Sequence, residues 1–142
     1  MSKIFFRFFT AIHIFIYRLS GGRVSGEVRG LHVLLLTTTG RKSGKPRTMP
    51  LGYFKHDGGY VITASNSGSD HHPGWYYNLK SSSLARIQIK NNRIPVRAEE
   101  VTGDERERLW SELIRISPGY ADYQKHTSRK IPMVILHPSE VR

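Results

Sequence analysis

Residues His32 to Thr39 read HVLLLTTT, apolar and then β-branched, and the chain turns apolar again at Met49 after one short polar connection. A parallel pair needs a crossover of about a dozen or more residues, usually a helix, and this connection has no helical pattern. The two runs must therefore pair as an antiparallel hairpin. The same constraint recurs downstream. Arg47 to His56 and Gly59 to Ala64 flank a DGG turn, and Leu84 to Lys90 and Ile94 to Val101 flank NNR, with Ala85, Ile87 and Ile89 alternating against Arg86, Gln88 and Lys90. Ile131 to Leu136 adds a closing strand. Six strands with connections this short predict a small antiparallel barrel rather than a parallel sheet.

Helical patterns fill the remaining connections. Pro73 opens one, with Trp75, Leu79 and Tyr76 sharing a face. Thr102 to Ile116 is another, N-capped by Thr102 or Asp104 and turning Trp110, Leu113 and Ile114 inward. Pro118 opens a shorter one through about His126.

The connection inside the first hairpin is unusual. LLLTTTGRKSGKPRTMPL, Leu34 to Leu51, packs Arg41, Lys42, Lys45 and Arg47 between two apolar strands, with Gly40 and Gly44 to let the backbone turn and Ser43 and Thr48 as hydroxyl donors. Glycine-freed N–H groups can form a concave donor nest, and guanidinium and ammonium groups supply the charge that phosphate or carboxylate demands. A solvated basic turn between strands is the plainer reading of the same residues. It is not a Walker loop, because the glycine spacing is too short and Pro46 stands where a Mg²⁺-binding hydroxyl belongs.

Charge and cysteine content narrow the class. A 142-residue chain is one domain, and its formal charge of +11 calls for an anionic partner: nucleic acid, acidic lipid or a polyanionic cofactor. With no cysteine, disulfides and thiolate metal sites are excluded, in keeping with a cytoplasmic location. His71 and His72 are adjacent and have no carboxylate at helical spacing, so no metal site is expected.

The N-terminus is set apart by its composition. Ile4 to Leu19, IFFRFFTAIHIFIYRL, is apolar at Phe5, Phe8, Phe9, Ile12, Phe15, Ile16 and Leu19, with Arg7, Thr10, His13 and Arg18 interrupting. That is an amphipathic helix. It lacks the unbroken apolar stretch and cleavage site of a signal peptide, and it falls short of the roughly 20 apolar residues that span a bilayer. Two roles fit: a cap on an open end of the barrel, or a peripheral contact of residues 4–19 with an anionic membrane on its cytoplasmic face. Domain limits follow as 1–21 for the helix and 22–142 for the barrel.

Four segments in order, GRKSGKPRTMPL, VITASNSG (Val61 to Gly68), HPGWYYNL (His72 to Leu79) and PGYADYQKHTSRKIPMVIL (Pro118 to Leu136), resemble the deazaflavin-dependent nitroreductase family. The resemblance implies a mainly β, α+β fold, a six-stranded split β-barrel of the FMN-binding type. It further implies coenzyme F-420, whose tail carries a phosphodiester and glutamate carboxylates and whose ring transfers hydride to a quinone, nitro or enone-type acceptor. Arg41, Lys42, Ser43 and Arg47 would hold the tail, and Met49, Pro50 and Leu51 would pass beside the ring. Ala64, Ser65, Asn66 and Ser67 would let the ring approach closely, with Trp75, Tyr76 and Asn78 closing over it. Ser65, Tyr120 and Tyr123 are the candidate catalytic groups. Two phenols three residues apart on a helix share a face, and a phenol can donate to an oxygen gaining charge. Members of that family with a leading helix act on membrane quinones, and many split barrels are homodimers. The ordinary readings are core aromatics for Trp75, a surface amide for Asn78 and amphipathic surface tyrosines for Tyr120 and Tyr123.

Two other ligands suit a basic barrel. FMN would use the same loop for its phosphate. Single-stranded nucleic acid is disfavoured, because the aromatics fall on helices rather than alternating with cations along a strand.

Overall fold

The computed structural model describes residues 3–21, 27–28 and 30–139. The expected domain boundary after residue 21 abuts a segment outside them. Helix α1 (Lys3–Ser20) is followed by β1 (Glu27–Val28), β2 (Leu31–Thr39), β3 (Pro46–His56) and β4 (Gly59–Thr63). A 3-10 turn (Asn66–Gly68) and α2 (Gly74–Ser81) lead to β5 (Leu84–Ile89) and β6 (Asn92–Val101). Helices α3 (Gly103–Ile116) and α4 (Tyr120–Lys125) then precede β7 (Met133–Pro138).

The sheet order is β1-β2-β3-β4-β7-β6-β5, and β5 pairs back onto β2 through Leu35↔Gln88, Leu36↔Ile87 and Thr37↔Arg86. This closes the expected six-stranded antiparallel barrel, with β1 a short addition beside β2. Both tight hairpins turn on two residues. Asp57 and Gly58 have positive φ of 48° and 80° between the paired His56 and Gly59, the geometry of a primed turn whose twist suits the strands. The second turn is Lys90–Asn91, one residue earlier than the NNR pattern suggested, so Asn92 and Arg93 belong to β6.

β2 is apolar at consecutive positions because both of its faces are covered. Leu34 and Leu36 enter the barrel interior with Ile62, Ile87, Val96, Val134 and Leu136, and α2 adds Trp75, Tyr76 and Leu79 to the same cluster. Val33 and Leu35 face outward and are covered by Ile14 and Tyr17 of α1. A third cluster lies outside β4 and β7, where Leu109 and Leu113 of α3 and Tyr120 of α4 cover Val61, Met133 and Ile135. The inward face of α3 thus centres on Leu109 and Leu113, with Trp110 and Ile114 only half-buried. Arg106 is also buried there: it lies 4.6 Å over the Trp110 ring and donates to the Ile131 carbonyl at 2.6 Å. Thr102 occupies the α3 N-cap in extended conformation without a side-chain bond.

Helix α1 forms as expected, and the face it turns to the barrel is not the aromatic stripe. Tyr17 is its buried residue at 1% exposure, whereas Phe8, Phe9, Phe15 and Leu19 stand 55–76% exposed; the side chain of Phe5 lies outside the described residues. The phenol decides the matter. Tyr17 Oη donates to the Val33 carbonyl at 2.9 Å and accepts the Lys90 N–H at 2.8 Å, which pins α1 across the β2–β5 seam. Each such bond is worth about 1 kcal/mol net, and leaving a buried partner unmade would cost more. Helix α1 therefore lies along the barrel wall, and its aromatic stripe plugs no barrel end.

Candidate active-site groove

A groove of about 990 Å³ opens where the first hairpin loop, α2 and α1 meet. The loop supplies Arg41, Lys42 and Ser43, β3 supplies Arg47 and Met49, and α2 supplies Trp75 and Asn78. Helix α1 forms the facing wall with Phe6, Arg7, Ala11, Ile14, Phe15 and Arg18. Arg7, Ala11, Ile14 and Arg18 recur at helical spacing on one side of α1. The two arginines that break the N-terminal apolar run are thus the two that face the groove. Among the described residues five cations line it and no carboxylate does.

The basic loop is held more by its own backbone than anticipated. Gly40 N–H donates to the Lys45 carbonyl and Gly44 N–H to the Gly40 carbonyl, both at 2.8 Å. Lys45 N–H donates to Ser43 Oγ at 3.2 Å, and Arg41 N–H to Asn78 Oδ1 at 3.1 Å. Gly44 sits at φ +70°, where glycine is favoured over other residues, and a Cβ on Gly40 would come within 2.7 Å of Ser43 Oγ and 3.2 Å of the Lys45 carbonyl, so a side chain there would have to displace Ser43. These bonds engage the amides of Gly40, Arg41, Gly44 and Lys45, including both glycine amides expected to form a donor nest. The charged and hydroxyl side chains that this hairpin turns into the groove are Arg41, Lys42, Ser43 and Arg47; Lys45 does not line it.

Asn78 is no surface amide. It is 7% exposed, and while Oδ1 accepts from the loop, Nδ2 donates to Thr38 Oγ1 at 3.0 Å. One buried side chain brackets α2, β2 and the loop. The guanidinium of Arg41 lies 4.8 Å over the exposed Tyr77 ring, which steadies it without neutralising it. Trp75 is both a core aromatic and part of the groove floor.

The second loop, residues 64–72, is organised by Arg129, which the sequence reading passed over. Its Nε donates to the Ser69 carbonyl (2.8 Å), and its two terminal nitrogens donate to the carbonyls of Ala64 (3.1 Å) and Ser65 (2.8 Å). One of them also lies 3.0 Å from His72 Nδ1. Inside this frame Asn66 and Ser67 take left-handed φ of 46° and 54°, conformations that cost non-glycine residues about 1–3 kcal/mol each and persist only when the surroundings impose them. Asn66 and His72 reach the groove. Ala64, Ser65 and Ser67 do not line it, and neither do Pro50, Leu51 or Tyr76. Tyr76 is committed elsewhere, donating to Glu100 Oε1 at 2.7 Å, with Lys80 Nζ 2.9 Å from the same oxygen. Burial alone would raise the Glu100 carboxyl, but the hydrogen bonds from Tyr76 and Lys80 outweigh it and hold that group below its usual range. Burial, reinforced by Arg129, lowers the His72 imidazole below its ordinary value.

Tyr120 and Tyr123 are not among the groove residues. Their rings meet edge to face at 5.2 Å, Tyr120 is buried in the α3–α4 cluster, and Tyr123 packs against that cluster. Shared helix-face spacing did bring the two phenols together, but α4 turns that face toward Leu109 and Leu113. Arg129, His72, Arg7 and Arg18 were the residues missed. Only the arginines that interrupt an otherwise apolar helix carried a local signal.

An F420H(2)-dependent quinone reductase of Mycobacterium tuberculosis is 38% identical over 129 residues, covering 88% of this chain and 87% of that protein. A solved F420-H2 dependent reductase (FDR-A) is 40% identical with a TM-score of 0.68, covering 74% of this chain and 93% of that one. A solved domain-swapped dimer is 33% identical with a TM-score of 0.71, covering 96% and 100%. With residues 9–138 matching the F420H(2)-dependent quinone reductase family, the chain belongs to that family of F-420-dependent, split-barrel oxidoreductases.

Proposed function

We propose that the groove seats reduced F-420 against a quinone, with nitro and enone-type acceptors as alternatives. The observation that carries this reading is a groove lined, among the described residues, by five cations and no carboxylate, with an apolar floor and wall. That composition fits a polyanionic tail joined to a planar ring, so the residues present suit the coenzyme. When bound, the reduced deazaflavin supplies a hydride. Arg41, Lys42, Ser43 and Arg47 hold the tail phosphate and carboxylates, and Arg7 and Arg18 add charge from the opposite wall. Met49 and Trp75 give the ring an apolar seat, Asn66 offers an amide, and Asn78 fixes the loop. Phe6, Ala11 and Phe15 then exclude water and shape the acceptor side, which suits an apolar quinone. The test is oxidation of reduced F-420 on addition of menadione, followed by absorbance. Turnover that occurs only with reduced FMN would overturn the reading.

In the same reading residues 1–21 act as a helical arm on the 22–142 barrel in the cytoplasm. The outward stripe of Phe8, Phe9, Ile12 and Leu19 rests on an anionic bilayer. No helix among the described residues is long and apolar enough to cross one, so this contact is peripheral. Liposome flotation of the full chain against a Phe8→Glu/Phe9→Glu variant tests it, and equal flotation removes it. The domain-swapped relative supports a second copy as the alternative cover, and a homodimer by light scattering that the double variant dissociates would favour it.

A further inference from the structure

His72 lines the groove between the two loops, and its ring is immobilised. Tyr76 lies 4.6 Å away at 41°, Tyr77 lies 5.6 Å away at 67°, and one terminal nitrogen of Arg129 sits 3.0 Å from Nδ1. A guanidinium carries five N–H donors, no acceptor, and a charge it does not lose in proteins. The contact therefore has only one polarity: Arg129 donates and Nδ1 accepts. Nδ1 carries no proton, so the neutral ring carries it on Nε2. Arg129 cannot turn aside without abandoning the carbonyls of Ala64, Ser65 and Ser69.

The charges around the ring agree. Arg129 and Lys80 oppose the imidazolium, as does burial; Glu100 favours it, but its carboxylate is already engaged by Tyr76 and Lys80. Nε2 has no hydrogen-bond partner among the described residues.

We propose that His72 is a tautomer-locked hydrogen-bond donor of the groove, its Nδ1 held bare by Arg129 so that Nε2–H is offered to an oxygen of the bound ligand. His72 is the contacting group, and Arg129 is a positioning residue. The oxygen belongs either to the coenzyme or to the acceptor; both present carbonyl or anionic oxygens. A neutral imidazole whose second protonation is opposed by burial and by Arg129 is suited to polarise such an oxygen rather than to deliver a proton, the role a neutral histidine plays in the handling of enediolates. The identity of the ligand rests on the function proposed above, but the state of the ring does not.

The experiment is a long-range ¹H–¹⁵N spectrum of the full-length protein labelled at histidine, with His72 assigned by its loss in His72→Phe. At pH 7.5 the free protein should show His72 with an unprotonated Nδ1 and a protonated Nε2, and on acidification it should titrate below the ordinary histidine value of about 6.5. An Nδ1–H tautomer, or titration at or above that value, overturns the proposal. In Arg129→Gln the lock loosens and His72 should titrate higher than in the wild type, with both ring tautomers populated; an unchanged spectrum in that variant, if folded, removes Arg129 as the cause. Adding oxidised F-420 moves the Nε2–H signal if the coenzyme supplies the oxygen; adding menadione to the F-420-loaded protein moves it if the acceptor does. No movement with either ends the donor role. Whichever ligand moves it should bind about tenfold more weakly to His72→Phe, and His72→Gln, which restores a donor, should recover part of that loss. If F-420 fails to bind while the free-protein spectrum is as stated, the functional reading fails and the locked tautomer stands.

Discussion

Two loops border the groove and are built on opposite plans. Residues 40–47 display their charges outward, close on themselves through short backbone bonds at the β2–β3 turn, and are tied to α2 by one buried amide, Asn78. Residues 64–72 hide their organiser: one guanidinium from far along the chain collects three carbonyls and a histidine nitrogen. The first loop leaves its charged side chains exposed, and the second is held from within. Binding charge can therefore be altered with little effect on the fold, whereas altering the clamp costs the fold first.

That contrast can be broken at its stronger end. Arg129→Met should leave three carbonyls without their donor and two left-handed residues without their frame, for a loss of about 3 kcal/mol by urea denaturation. A change within experimental error would mean that the second loop supports itself. Asn78→Ala should cost about 1–3 kcal/mol and weaken F-420 binding as well, because the bracket serves both fold and loop. Asn78→Asp keeps the acceptor for Arg41 N–H but loses the donor to Thr38, and should fall between.

At the charged loop the pattern reverses. Arg47→Ala should shift stability by no more than about 0.5 kcal/mol yet weaken F-420 roughly tenfold, and the penalty should shrink as salt rises. An equal loss of stability and affinity would erase the distinction between the loops. The smallest effect is one of pH. The His72 imidazole lies below its ordinary value when folded, so below about pH 6.5 the unfolded chain binds a proton that the folded chain refuses. This group's contribution is complete above pH 6.5 and fades as acid is added. Stability of His72→Phe against wild type from pH 7.5 to 5 should converge toward the acid end; parallel curves would show that the ring titrates alike in both states.

What could be read from the chain follows the same division. The hairpins, the barrel and the cationic loop were legible because each is local: short connections force antiparallel pairing, and charge next to glycine stands out within a few residues. Arg129 was not legible, since its partners lie 57–65 positions away and nothing around it in HTSRK marks a clamp. The N-terminal helix was legible as a helix, but which of its faces meets the barrel was not. Apolar counting chose the phenylalanines, but a single tyrosine hydroxyl between Val33 and Lys90 fixed its orientation. Tyr120 and Tyr123 fell to the same limitation: spacing places two phenols on one face without saying whether that face meets a groove or a core.

The central claim is that the cationic groove selects a deazaflavin with a charged tail. Side-by-side fluorescence titrations of the wild-type chain and Arg41→Ala/Arg47→Ala with F-420 and with FMN test it most directly. The account predicts tighter binding of F-420 than of FMN to the wild type, and a loss in the double variant that is larger for F-420. Equal or tighter binding of FMN, or an F-420 affinity indifferent to both arginines, would contradict it.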